Sequence, residues 1–400
     1  MERQNKRGST AGFRMCCPCH FGLESVLKFE LVRLGADEIS AADGRVSFTG
    51  DWTMLAAANV ELTTAERVLI ELGSFPVGTQ RGKTPFDPLF DGVAALPLEQ
   101  FIGQDDAFPV KGSSLNSALK SVPACQAIVK KAAVRRLQKA WHTEALPESG
   151  AVHQIQFVIR NDICTVYLDS SGVPLYKRGW RENANAAPIR ETLAAGILDL
   201  SHVRAGTVLC DPFCGSGTFL IEGAYRAMHM APGLHRRFAA ERWTQMPKKA
   251  WFDAREAARA KIDRTAEYSA FGFDSDPEAV KLTIENAKKA GIADRVTVIQ
   301  RDIKDFEAIA GQTVVCNPPY GERMLDVSAA RALYRVMGKV FPADLACSII
   351  TPDNDFEQCF GRKARKRRKL YNGMLQCQLY QYWQETERMK PNAHTQSDSF

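Results

Sequence analysis

No run of eighteen apolar residues occurs in the 400-residue chain, which excludes a hydrophobic membrane-spanning helix. The opening stretch MERQNKRGSTAGFR is polar and has none of the apolar core of a secretory signal, so residues 1–14 are expected to be a loose extension. Internal repeats and long low-complexity tracts are missing, which speaks against a solenoid. Cys16, Cys17, Cys19 and His20 stand close enough to raise the question of a metal, but no second ligand pair of the usual spacing accompanies them. No metal site is expected, and these four read as ordinary strand-end residues. The eleven cysteines are an odd total, and Cys164, Cys210, Cys316, Cys347 and Cys377 fall where buried strands should lie. That scatter suits a reducing cytoplasm better than a disulfide framework.

Four hundred residues exceed one ordinary core, so two or three domains are expected. A composition of 45% hydrophobic and 24% charged residues fits a soluble globular chain. The net charge of +6 and pI near 8.7 are compatible with a polyanionic partner without requiring one. The sharpest basic run, Arg362 to Lys369 (RKARKRRK), reads either as a solvated loop or helix face or as a phosphate-contacting patch. A nuclear signal has the same composition, so the run does not report on compartment.

Apolar residues at Leu23, Val26, Leu27, Leu31 and Leu34 have helical spacing, and Gly35 ends it. A strand is expected at Arg45 to Phe48 and a helix from about Trp52 to Leu72. Val110 to Val122 mixes a strand with small polar residues. Cys125 to Ala140 reads as a basic amphipathic helix whose Lys130, Lys131, Arg135, Arg136 and Lys139 share a solvated side. Gln154 to Arg160 and Ile163 to Leu168 are expected to form a hairpin turning at Asn161-Asp162. The first 170 residues are therefore α+β.

After Arg190 the pattern changes. A helix (ETLAAGILDL) precedes a strand at Thr207 to Cys210, a glycine-containing turn and a helix from Thr218 to Met228. Next come strand Ala270 to Phe273, helix Glu278 to Ala290, and strands Arg295 to Gln300 and Thr313 to Cys316. Asp276-Pro277-Glu278 is a helix start and Gly291 a helix stop. Alternation of this kind implies a parallel doubly wound sheet. Met374 to Tyr382 is expected to add an edge strand, and the tail 387–400 is expected to be disordered.

Four motifs in this second half carry chemistry. Asp211-Pro212-Phe213-Cys214-Gly215-Ser216-Gly217-Thr218 follows a strand and opens a helix, the context a nucleotide-binding glycine turn requires. Its glycines allow close backbone approach, with Gly217 expected to bring the helix against the strand. Asp211 would repel a pyrophosphate, and no lysine follows the glycines. An acid there suits a cationic ligand with an ammonium group, as in S-adenosylmethionine. Asp274, ending AFGFD, is placed to accept ribose hydroxyls. Its distance from Asp211 requires an insertion, which residues 229–268 can provide. Asp276 competes for this role but has helix capping as an adequate explanation. Asp302 either accepts from an adenine amino group or caps a helix.

Asn317-Pro318-Pro319-Tyr320, again at a strand end, points to the reaction. An exocyclic base amine is a poor nucleophile because its lone pair is delocalised into the ring. Acceptance of its two N–H bonds by the Asn317 side-chain oxygen and the Pro318 carbonyl would pyramidalise the nitrogen. The prolines stiffen the corner and withhold competing backbone N–H groups. Tyr320 can stack on a base turned out of its helix. Such a transfer needs positioning and no metal.

With these motifs the chain resembles the THUMP-domain RNA methyltransferases of the class I type, most closely the bacterial large-subunit (23S) ribosomal RNA guanine-N2 methyltransferase family. The resemblance runs from about Cys17 to Tyr382. FGLESVLKFELVRLGA matches the ferredoxin-like segment, GSSLNSALKSVPACQAIVKKAAVRRL the THUMP domain, and YKRGWRENANAAPIRETLAAGIL the linker. DPFCGSGTFLIEGA, NPPYGER and KRRKLYNGMLQCQLYQY match the catalytic domain. It implies a Rossmann-like domain (206–386) preceded by an α+β module of a ferredoxin-like segment (15–65), a THUMP domain (66–170) and a linker with lead-in helix (171–205).

The resemblance further implies S-adenosylmethionine as cofactor, held by Asp211, Pro212, Gly215, Ser216, Gly217, Thr218, Asp274, Asp302 and Asn317. Asn317, Pro318 and Tyr320 would meet the base. Lys130, Lys131, Arg135, Lys177, Arg178 and Arg181 are the candidates for RNA contact. A transfer RNA guanine-N2 enzyme and a non-catalytic RNA-binding assembly protein are the competing readings. Adenine-N6 enzymes use a closely similar tetrapeptide, but the N-terminal half resembles an RNA module.

Overall fold

The computed structural model describes residues 12–78, 84–181, 188–320 and 326–383. Residues 1–11 of the extension expected at 1–14, the tail from Glu387 and the linker residues 182–187 lie outside them, whereas Phe13 and Arg14, expected in that extension, pair in the first strand against Gly50 and Thr49. Contacts divide the chain into two units. Of the described residues, one unit holds those up to Cys19 and those within Leu27–Tyr176 and Ala231–Ala260, and the other holds His20–Val26, those within Lys177–Met230 and those from Lys261 onward. These units cut across the expected borders: residues 231–260, inside the expected catalytic domain, pack with the N-terminal unit. Among the described residues, no helix is long and apolar enough to cross a membrane.

The N-terminal unit begins with β1 (Phe13–Pro18), α1 (Glu24–Leu34), β2 (Asp37–Ala42) and β3 (Arg45–Gly50). It continues with α2 (Trp52–Glu61), β4 (Leu69–Pro76), α3 (Asp87–Ala95) and β5 (Val110–Leu115). Then come α4 (Val122–Trp141), β6 (Ile155–Arg160) and β7 (Ile163–Asp169). The strands form one sheet in the order β2-β3-β1-β4-β7-β6-β5, antiparallel except for β5 against β6. Segments expected to be separate ferredoxin-like and THUMP pieces thus share a sheet. Cys16 and Cys17 are buried strand residues of β1.

The hairpin turn falls at Asn161 and Asp162, both with left-handed φ of 52° and 57°. That is the backbone a two-residue turn between twisted strands demands. The expected helix from Trp52 to Leu72 is half right. Asp51 caps it, its Oδ1 accepting the Met54 N–H at 2.9 Å. The helix stops at Glu61 because Leu62 is extended and the buried Glu30 carboxylate takes the Thr63 and Thr64 N–H groups. Residues from Leu69 then pair with β1 and β7, so tertiary pairing overrides helical spacing.

The second unit adds α5 (Glu191–Leu200), β8 (Val208–Asp211) and α6 (Thr218–Ala227). The insertion follows with α7 (Lys248–Ala260), which belongs to the first unit, where it packs on α2. The second unit resumes with β9 (Ser269–Asp274), α8 (Pro277–Lys289), β10 (Val296–Gln300), β11 (Gln312–Cys316) and α9 (Val327–Val340). It ends with β12 (Ala346–Thr351), α10 (Phe356–Phe360), β13 (Lys366–Asn372) and β14 (Leu375–Tyr382). The strand order is β10-β9-β8-β11-β12-β14-β13, parallel from β10 to β12, with β14 antiparallel to both of its neighbours. The order reverses at β8, so a crevice opens at the carboxyl ends of β8 and β11, where ligands bind in open α/β sheets.

Two expectations are corrected here. The strand expected at the edge, β14, is internal. The edge is β13, and it carries Lys366, Arg367, Arg368 and Lys369 of the basic run, which is therefore neither loop nor helix in that part. Cationic side chains on an outer strand also discourage edge-to-edge pairing with other chains. His20 Nδ1 lies 3.1 Å from the Tyr371 carbonyl and its Nε2 3.4 Å from Thr192 Oγ1.

Candidate active site

A cleft of about 950 Å3 opens at the carboxyl edge of the second sheet, a size suited to a nucleoside-bearing ligand. Asp211, Pro212, Gly215, Ser216 and Thr218 line it from the turn between β8 and α6. Asp274 and Asp276 line it after β9, Asp302 after β10, and Asn317, Pro318 and Tyr320 after β11. Of the cofactor candidates named from sequence, Gly217 alone is absent from the lining.

Gly217 acts on packing. It sits at φ +80°, and a Cβ there would lie 2.7 Å from Thr283 Cγ2 of α8. The close approach is therefore to a neighbouring helix, where the sequence suggested the strand. Two residues of α8 that sequence reasoning missed hold the turn: Thr283 donates to the Gly215 carbonyl at 2.8 Å, and Asn286 donates to the Ser216 carbonyl at 2.9 Å. Both are buried polar residues three apart on the inward face of the helix. A polar pair interrupting that face, with Ala279 and Ala287, was the available signal.

The acids differ in their surroundings. Asp211 is buried, and burial pushes its carboxyl up to about 8, against a bond from the Phe213 N–H and with a further upward push from nearby Asp274. An ammonium brought beside Asp211 would relieve the cost of that charge, which is the fit expected for the amino-acid end of S-adenosylmethionine. Asp274 Oδ2 accepts the Gly215 N–H and its Oδ1 the Asp276 N–H, each at 3.0 Å. Asp276 caps α8 through the Glu278 N–H at 2.9 Å. Asp302 caps a short 3-10 turn through the Lys304 N–H at 2.9 Å while also facing the cleft. Both of its sequence readings are thus compatible with its position.

At the other wall, Asn317 Oδ1 is buried and has no hydrogen-bond partner among the described residues. A buried amide oxygen left unbonded costs free energy that a donor from a ligand recovers. Pro318 and Pro319 follow, so neither residue offers an N–H to it. The Tyr320 hydroxyl accepts from Asn372 Nδ2 at 3.0 Å, and burial holds its phenol protonated.

The basic candidates separate into different groups. Arg178 is buried in a two-bond ion pair with Glu222, both bonds at 3.2 Å, so it has no surface to offer a polyanion. Arg181 is also largely inside, stacked on Trp180, donating to Thr218 Oγ1 and facing Glu191 at 3.6 Å. It supports the end of the glycine turn. Lys177 is exposed. In α4, Lys130 turns inward to Glu148 at 2.5 Å and lies over the Phe108 ring, and Arg136 pairs with Glu99. Lys131, Arg135 and Lys139 remain exposed, so three of the five basic residues face solvent and Lys130 and Arg136 do not share that side.

Comparison with known proteins fits this geometry. Residues 14–69 match the RlmL ferredoxin-like domain, 83–169 the THUMP domain, and 178–381 the RMKL-like methyltransferase domain. The Bacillus subtilis protein named "Putative RNA methyltransferase YpsC" is 38% identical over 367 residues, covering 90% of this chain and 94% of its own. SMU.472, whose crystal structure contains SAH, is 38% identical with a TM-score of 0.86, covering 94% of this chain and 99% of its own. A Listeria monocytogenes structure described as a "predicted N6-adenine-specific DNA methylase" is 39% identical with a TM-score of 0.85, covering 93% and 96%. The chain belongs to the THUMP-containing RlmL/RMKL-type family of S-adenosylmethionine-dependent RNA methyltransferases.

Proposed function

We propose that this protein methylates the exocyclic N2 amine of a guanine in large-subunit ribosomal RNA. S-adenosylmethionine supplies an electrophilic methyl group on a sulfonium. Asp211 would hold its ammonium, Asp274 its ribose, Asp302 its adenine amine, and the turn from Pro212 to Thr218 would fix its orientation. Asn317 Oδ1 and the Pro318 carbonyl accept the two N–H bonds of the target amine, which frees the nitrogen lone pair for attack. The new N–C bond forms as the C–S bond breaks, and the displaced N–H proton leaves to solvent. Tyr320, its hydroxyl tied to Asn372, offers its ring to the base.

The observation that carries this reading is the buried Asn317 oxygen, without a hydrogen-bond partner among the described residues, on the same sheet edge as Asp211 and Asp274. An orphaned acceptor beside a cofactor cleft is what amine activation requires, and a scaffold protein has no use for it. Exposed Lys131, Arg135 and Lys177 are proposed to meet phosphates. Among the described residues no disulfide joins any of the cysteines, in keeping with a proposed cytoplasmic location.

Nucleoside analysis of RNA from a deletion strain tests the proposal. N2-methylguanosine should fall in 23S RNA and return with the wild-type gene but not with Asn317→Ala. Its loss from transfer RNA would move the substrate class. Loss of N6-methyladenosine would overturn the base assignment, and no change in any nucleoside would favour an assembly factor.

A further inference from the structure

The turn between β13 and β14 carries an apolar side chain that the fold does not use. Met374 is 99% exposed, and Leu375 beside it is 45% exposed. Asn372 pairs with Leu375 across the hairpin, so Gly373 and Met374 form its tip. Gly373 meets the turn's left-handed requirement at φ +65°, which leaves Met374 with no conformational duty. Despite its exposure, Met374 belongs to the rim of the active-site cleft. The tip is also fastened to the catalytic corner, since Asn372 Nδ2 donates to the Tyr320 hydroxyl at 3.0 Å. Behind the tip, the outer strand presents Lys366 and Lys369 to solvent.

An apolar tip on a cationic strand, beside a pocket that must receive a whole base, has the makings of a wedge. Taking a base out of a stack leaves a gap whose apolar faces meet water, and proteins that deform nucleic acids fill such gaps with Met, Leu, Ile or Phe. We propose that the β13–β14 tip enters the folded RNA substrate and that Met374 occupies the space the target base leaves when it turns into the cleft. Lys369, nearer the tip, would hold a flanking phosphate. Asn372 would keep the wedge in register with Tyr320, so extraction and stacking of the base are coupled. This inference rests on the proposed transfer to an RNA base.

The test uses the full-length protein and tritiated S-adenosylmethionine. The RNA is deproteinised ribosomal RNA from a strain lacking the gene, supplied either folded or cut to short single-stranded fragments. Met374→Ala should lower kcat/KM on folded RNA by about tenfold or more, because unstacking is no longer compensated. Cofactor affinity should be unchanged, and Met374→Leu should recover most of the loss. On fragments, where no base needs extraction, Met374→Ala and wild type should differ by less than about twofold. A wild-type rate for Met374→Ala on folded RNA overturns the proposal, as does an equal loss on both RNAs that Met374→Leu does not repair. If the wild type labels neither RNA, the functional reading fails and the wedge falls with it.

Discussion

The Asp274 carboxylate accepts the Gly215 backbone N–H at 3.0 Å, so the acid that ends one strand fixes the glycine turn that follows its neighbour. Asp274 therefore shapes the cleft as well as facing it. Asp274→Ala is expected to weaken S-adenosylmethionine binding by at least about tenfold in titration calorimetry, through loss of charged acceptors for the ribose. Asp276→Ala should leave that affinity intact and cost about 1 kcal/mol of stability, because its carboxylate caps α8. Equal affinity in wild type and Asp274→Ala would remove Asp274 from the site.

Asn317 should separate binding from turnover. Asn317→Ala is expected to bind cofactor within about twofold of wild type while single-turnover methyl transfer falls by about 100-fold or more. Weaker cofactor binding with an unchanged transfer rate would make it a cofactor residue instead.

The catalytic half was more legible in the sequence than the N-terminal half, for a physical reason. Each candidate motif sits at a strand end, where local chemistry (an acid, a glycine turn, a proline pair) declares itself within a few residues. Asp211, Asp274, Asp302 and Asn317 accordingly share one cleft. What escaped depends on distant partners. Thr283 and Asn286 matter because α8 packs on the turn some seventy residues earlier. Leu69 to Leu72 read as helix but become strand because β1 and β7 are there to pair with. The burial of Arg178 depends on Glu222, and its composition alone resembles that of any exposed linker arginine.

That buried pair gives a stability prediction. Arg178→Met leaves the Glu222 carboxylate buried and unpaired, and should destabilise the protein by about 3–5 kcal/mol in denaturant unfolding. Exposed Lys177→Ala should alter stability by no more than about 0.5 kcal/mol while weakening RNA binding. Should Arg178→Met keep full stability and lose RNA affinity alone, Arg178 would be an RNA contact after all.

Asp211 makes stability depend on pH. Its folded-state carboxyl is pushed up to about 8 from the ordinary 3.8, so the ligand-free fold holds a proton that the unfolded chain releases. Its contribution is fully present below the ordinary carboxylate value and declines as pH rises toward 8. Ligand-free protein should therefore lose more Tm between pH 6 and pH 9 than Asp211→Asn does. Saturating S-adenosylmethionine should shrink that difference. Identical pH profiles for the two proteins would show that Asp211 is not carrying this proton.

The most direct test of the central claim identifies the atom that receives the methyl. Purified protein would be given S-adenosylmethionine with a deuterated methyl group and ribosomal RNA from a deletion strain, and the digested nucleosides would be resolved by mass spectrometry. The corner formed by Asn317 and Pro318 predicts N2-[CD3]methylguanosine as the labelled product, absent when Asn317→Ala is used. Label on adenine N6, on a ribose hydroxyl or on a carbon of the base would contradict it.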